Sequence, residues 1–217
     1  MNMQRRRVLT SIASGTLLAG FGTALPGLAS AGMQCTPWQP FNMGMVRKCT
    51  VGVRVPRLRA QQCDQWCWAA CIEAAFRIGG YRVSQERIVK KIFGSEFVCR
   101  PAIGPQIAHA VEGEWTDDRG HDFYAEFNLL ADLMFGVVNP GALQQASVYL
   151  REDIPLINGA LGHATLMTAM SWLEDNFEQQ RLAEIIVRDP WPGNPQRRTL
   201  TPAEFHGTFF VGAITVS

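Results

Sequence analysis

Hydrophobic positions along this chain change their spacing near its middle. From Cys67 to Ile78 almost every position is apolar or small (Ala69, Ala70, Ile72, Ala74, Ala75, Phe76), and Gly79-Gly80 close the run. That pattern predicts a helix whose first residue is Cys67. Ser84 then caps a second helix carrying Ile88, Val89, Ile92 and Phe93, which Gly94 ends. Pro105 opens a third helix, and Asn139-Pro140 starts a fourth through Leu143, Val148 and Leu150. After these, β-type runs predict strands at 154–158, 163–172, 182–189 and 208–216. Thr201-Pro202-Ala203-Glu204 is a capping box for one short helical turn between the last two. Glu112 to Asp122 is polar and acidic and reads as a surface loop. Helices first and an antiparallel sheet afterwards argue an α+β fold, with a cleft between the two halves.

The N-terminus changes which residues belong to that fold. Arg5-Arg6-Arg7 precede an uncharged apolar segment from Val8 to Leu25, then Pro26 and the small-residue stretch Leu28-Ala29-Ser30-Ala31. This is the pattern of a signal peptide covering 1–31, cleaved before Gly32, and Arg5-Arg6-x-Val8-Leu9 resembles a twin-arginine signal. The expectation is a secreted or periplasmic protein with no stable membrane association after processing. The segment carries three arginines and no acidic residue, so the formal net charge moves from +1 to −2 on its removal. A near-neutral chain offers no electrostatic case for nucleic acid as a partner. Residues 32–217 suit one domain with a full core, in which 32–60 form a segment of unknown role and 61–217 the functional domain.

Candidate chemistry concentrates at Cys67. A cysteine is a nucleophile as the thiolate, and a sulfur at the first position of a helix sits among unpaired backbone N–H groups at the positive end of the dipole. Two more groups are needed: an imidazole to hold the proton and an acceptor to orient it. His163 follows Gly162, which leaves room for a substrate backbone, and begins the apolar, Thr-punctuated run Ala164-Thr165-Leu166-Met167-Thr168. Asp189 ends the strand Ala183–Arg188 and opens the turn Pro190-Trp191-Pro192-Gly193, a position from which it accepts from the His163 ring. His109, His121 and His206 share no helix face with cysteine or carboxylate at a ligand spacing, so no metal and no cofactor are expected.

In their order, Gln61, Cys67-Trp68, Gly162-His163-Ala164 and Asp189-x-Trp191 resemble the papain-like cysteine peptidase superfamily, and within it the bacterial branch. The resemblance covers roughly Gln61 to Gly193. It implies a helical half whose catalytic helix packs against a C-terminal antiparallel sheet. It also implies Cys67 as nucleophile, His163 and Asp189 as its partners, and Gln61 in the oxyanion hole. Trp68 and Trp191 are supporting residues, with Trp191 shielding the histidine pair from water. Papain itself has asparagine where this chain has Asp189; aspartate is common in the bacterial branch. The substrate class implied is a peptide or protein, hydrolysed at amide bonds through an acyl-enzyme. An acyltransferase or isopeptide-acting effector is the rival within the same chemistry. A non-catalytic binding module with Cys67 locked in a disulfide is the rival outside it.

All six cysteines lie beyond residue 31, where an oxidising compartment lets them pair. With Cys67 reserved for chemistry, five remain and at most two bridges form. Cys35 with Cys49 would tie down the N-terminal segment. Cys99 has two possible partners: Cys63, the pairing that papain-like folds often make, or Cys71, one helical turn after Cys67.

Overall fold

The computed structural model describes residues 32–41 and 44–217, so the signal segment expected at 1–31 lies outside the described residues. In chain order the elements are β1 (Gln34–Cys35), β2 (Gln39–Phe41), β3 (Gly44–Gly52), α1 (Cys67–Ile78), α2 (Gln85–Phe93), α3 (Gly104–Val111), β4 (Gly113–Thr116) and β5 (Asp122–Asp132). A 3-10 turn at Leu133–Phe135 follows, then β6 (Val137–Val138), α4 (Ala142–Arg151), β7 (Leu156–Ala160), β8 (His163–Asp175), β9 (Gln180–Arg188), β10 (Arg197–Thr199), α5 (Pro202–His206) and β11 (Thr208–Val216). The fold is α+β. Among the described residues no helix is long and apolar enough to cross a membrane.

The described strands join one antiparallel sheet built around β8. On one edge β8 pairs with β9 over Leu166–Glu174. Its other edge is shared: β7 takes His163–Met167 and β3 takes Ala169–Asp175. β11 lies beyond β7, and β5 beyond β11. Residues 44–52, which carry no motif, are therefore an integral strand, and Cys49 and Val51 on it are buried.

Local signals set the helices. Ser84 accepts from the Arg87 N–H and Gly94 closes α2 in the left-handed region, as the caps predict. Thr201 and Glu204 make the expected reciprocal capping box on α5. In α1 ten consecutive residues, Cys67 to Phe76, are buried. A helix apolar on all sides is surrounded by core, and here α2 covers one side while β7, β8 and β11 cover the other. Phe76 sits edge-on against Trp115 and Phe123 at centroid distances of 5.3 and 5.1 Å. A second core cluster, with Leu150, Leu156, Met170, Trp172 and Val187, lies on the opposite face of the sheet beneath α4.

Two expectations are corrected. Glu112–Asp122 is not one surface loop: Gly113–Thr116 pairs with Asp122–Ala125 as a hairpin, because Trp115 buries its ring and bonds the Val111 carbonyl at 2.8 Å. In the remaining tip Asp117 is also buried, accepting from the Arg119 and His121 N–H groups. The fourth helix begins at Ala142, two residues beyond Pro140, because Asn139 instead ties its side chain and N–H to Leu129 and Leu130.

The two disulfides are Cys35–Cys49, joining β1 to β3, and Cys63–Cys99, joining the entry of α1 to the stretch before α3. Cys67 and Cys71 are free. Disulfides of this kind fit an oxidising compartment.

Candidate active site

The entry to α1 and the first turn of β8 bring Cys67 and His163 together. Cys67 is the first helical residue, after Trp66, whose side chain makes no capping bond. The nearby N–H groups of the first helical turn are therefore open to another acceptor. Two indoles fix this corner. Trp66 Nε1 donates to the Val98 carbonyl at 2.9 Å and Trp68 Nε1 to the Arg100 carbonyl at 3.1 Å, on either side of disulfide-bonded Cys99. Trp68 thus holds the stretch that continues into the cleft wall at Pro101–Gly104.

Across the cleft, β7 and β8 are joined by the two-residue turn Leu161-Gly162, with φ of 51° and 79°. Positive φ at both positions is the hairpin geometry matched to strand twist, natural for Gly162 and strained for Leu161. The turn presents His163 at the start of β8, while the Ala164 N–H donates to Cys67 Sγ at 3.3 Å.

His163 Nε2 lies 2.8 Å from Asp189 Oδ1, which leaves Nδ1 as the free ring nitrogen. Asp189 is fully buried. Burial works against its charge, yet bonds from His163, the Trp191 N–H, Asn194 and Arg198 hold its carboxyl well below the usual range. Burial also lowers the His163 pKa, but the hydrogen bonds and charges of Asp189 and Cys67 outweigh it and push the imidazole up to about 9. Trp191 stands edge-on to the His163 ring, centroids 6.4 Å apart.

Gln61 lies six residues before Cys67, buried and fixed by its N–H to the Pro190 carbonyl at 3.0 Å. That bond ties the loop before α1 to the turn after Asp189. Its amide nitrogen donates to the carbonyls of Cys63 and Asp64 at 3.1 and 2.9 Å, so both amide hydrogens are engaged by the loop before α1. Gln85, buried at the start of α2, brackets the position: it accepts from the Gln62 N–H and donates to the Ala60 carbonyl, at 3.0 and 3.1 Å. Buried Glu73 on α1 takes its other donor at 2.8 Å.

Cys67 and His163 form a ridge between two depressions. One, of about 220 Å³, is walled by apolar side chains including Ile103, Ile107, Met134, Phe209 and Phe210. The other, of about 340 Å³, is polar and includes Asp64, Gln65, Trp191 and Asn194. A chain crossing the ridge would set one bond over the sulfur with apolar surface on one side and polar groups on the other.

The sequence pointed to Cys67, His163, Asp189 and Trp191, and all four meet here; Gln61 and Trp68 support the same corner. Arg198, Asn194, Gln85 and Glu73 were not anticipated. Thr201–Glu204 was legible as a cap, but no local signal marked Glu204 as also binding Arg198. Among the described residues, Cys35, Cys49 and Glu174 form the one grouping of potential metal ligands, and its two sulfurs are in a disulfide. No protein-family model and no curated protein matches this chain.

Proposed function

We propose that this protein is a papain-like cysteine peptidase of the extracytoplasmic space, hydrolysing amide bonds of a peptide or protein substrate. One observation carries the reading: His163 is held on Asp189 through Nε2, beside a free Cys67 at a helix N-terminus, on the ridge between two depressions. An imidazole with a pKa of about 9 is protonated at neutral pH, so His163 is read as imidazolium before substrate arrives, and the proposed nucleophile is the thiolate form of Cys67.

Cys67 Sγ then attacks the carbonyl carbon, and the oxygen takes the electron pair and accepts from backbone N–H groups at the start of α1, and from Gln61 once its amide turns from the Cys63 and Asp64 carbonyls. As the tetrahedral species collapses, the C–N bond breaks and the His163 proton passes to the leaving amine. Neutral His163 next removes a proton from water, which attacks the thioester; the acid product leaves and thiolate and imidazolium are restored. The free state of Cys67 favours this reading over a binding module in which that sulfur is bridged.

The test is to profile a peptide library with the mature protein under mild reduction. Cleavage is expected, with an acyl adduct on Cys67 by mass spectrometry and none in Cys67→Ala. No cleavage of any peptide, with Cys67 no more reactive than Cys71, overturns the reading.

A further inference from the structure

The Asp189 carboxylate accepts five hydrogen bonds, and only one comes from His163. Oδ1 takes His163 Nε2 at 2.8 Å and the Trp191 N–H at 2.9 Å. Oδ2 takes Asn194 Nδ2 at 2.8 Å and Arg198 twice, Nε at 2.9 Å and Nη2 at 2.7 Å. The same guanidinium reaches Glu204 with Nη1 and Nη2, at 2.8 and 2.7 Å. The cluster is largely out of water: side-chain exposure is 0% for Asp189, 16% for Arg198 and 17% for Glu204.

Arg198 lines neither depression beside Cys67. An exposed ion pair contributes little, but a buried carboxylate between two cations is fixed in plane and in charge. Without Arg198, Oδ2 keeps a single neutral donor, and the carboxylate is free to turn away from His163.

We propose that Arg198, gripped by Glu204 of α5, is a positioning residue for the His163–Asp189 pair: it locks the Asp189 carboxylate so that Oδ1 stays on Nε2. The proposal rests on the reading of Cys67 as nucleophile given above. The ionisable groups facing the pair are Cys67 and Cys71 from α1, Asp64 from the loop before it, Arg198 from β10 and Glu204 from α5.

The sign follows from the partners. A carboxylate held below its ordinary value contributes above that value and is lost as pH falls through its folded pKa. Taking away Arg198 leaves burial less opposed, so Asp189 protonates at higher pH. A protonated Asp189 no longer supports the His163 imidazolium, so the acid limb of Cys67 labelling moves upward.

The test follows iodoacetamide labelling of Cys67 by mass spectrometry on the disulfide-intact protein from pH 4 to 9, in wild type, Arg198→Gln, Arg198→Lys and Glu204→Gln. Arg198→Gln is expected to slow labelling at pH 4 by about tenfold, a loss that requires the Asp189 carboxyl to rise by several pKa units once its cation is gone, with a much smaller change at pH 7.5. Arg198→Lys restores part of the loss because it keeps the charge without the fork. Glu204→Gln falls between and serves if Arg198→Gln does not fold. An unchanged acid limb overturns the proposal, as does equal slowing at every pH with only a lowered Tm. If wild-type Cys67 reacts no faster than Cys71, the nucleophile reading fails and takes this proposal with it.

Discussion

In the proposed mechanism the site has two arms, one for the nucleophile and one for the proton, and they are held in different ways. The nucleophile arm is short in sequence, Ala60 to Cys71, and is fixed by the Cys63–Cys99 disulfide, two indole N–H bonds and the amide of Gln85. The proton arm joins residues 26 apart, His163 and Asp189, and charge holds it: a buried carboxylate, an imidazole and a guanidinium. Covalent and neutral bonds keep their geometry across pH, whereas charged bonds depend on protonation. The arms should therefore fail differently, the first by misplacement and the second by titration.

The largest effect should come from removing a reacting group from each arm. Cys67→Ala and His163→Ala are each expected to lower kcat/KM by about 10⁴-fold or more, and the double variant should be little worse than either, because members of a catalytic unit are not additive. Additive losses would show that the two side chains act separately.

Next in size is Asp189. Asp189→Ala is expected to cost about 10²- to 10³-fold in kcat, within the range of a general acid–base contribution. The resemblance to papain by itself argues a mild effect for Asp189→Asn, since papain carries asparagine. Here, however, both carboxylate oxygens face only donors, so an amide NH₂ must oppose either His163 and the Trp191 N–H, or Arg198 and Asn194. Asparagine should accordingly lose more than the resemblance implies and still less than alanine. The wild-type rate should fall as pH rises through about 9, where His163 gives up its proton. A raised histidine pKa contributes below its ordinary value and is lost above the folded one, so without the carboxylate this upper limb should move down. A pH–rate series on the three proteins reads all of this.

The nucleophile arm should break without a pH signature. Gln85→Leu strips partners from Gln62, Ala60 and Glu73, and of these the buried Glu73 oxygen left unpaired costs about 1–3 kcal/mol. A lowered Tm and a reduced kcat with an unmoved upper limb are expected; a moved limb would mean that the arms are coupled.

The smallest effect should be at Cys71, one turn beyond Cys67 on the same helix. Burial and the nearby charges of Cys67 and Asp189 push its thiol well up, so it stays protonated. Cys71→Ala should leave activity within about twofold and destabilise by about 1 kcal/mol. In competition labelling near pH 6 Cys67 should be modified and Cys71 spared, which sharpens the contrast between two thiols on one helix.

The sequence by itself determined what depends on neighbours within a turn or two. The start of α1 at Cys67, the caps at Ser84 and Thr201, the position of His163 after Gly162 and that of Asp189 at a strand end were all legible, because caps, periodicity and turn residues act over a few positions. Residues 44–52 and Asp122–Asp132 were not read as strands. The first carries mixed polar and apolar residues and becomes a strand through pairing with the far half of β8. The second inherits its place from β11, the last strand of the chain. The choice of Cys63 over Cys71 as partner of Cys99 was likewise open in sequence, and the packing of α1 decides it by turning Cys71 into the core. Arg198 is the clearest case. Its link to Asp189 exists because β10 pairs with β9 in a register that brings Arg198 opposite Val187, two residues before the aspartate. Buried charges find each other through strand register and helix placement, which couple residues far apart in the chain, and only the folded sheet supplies that coupling.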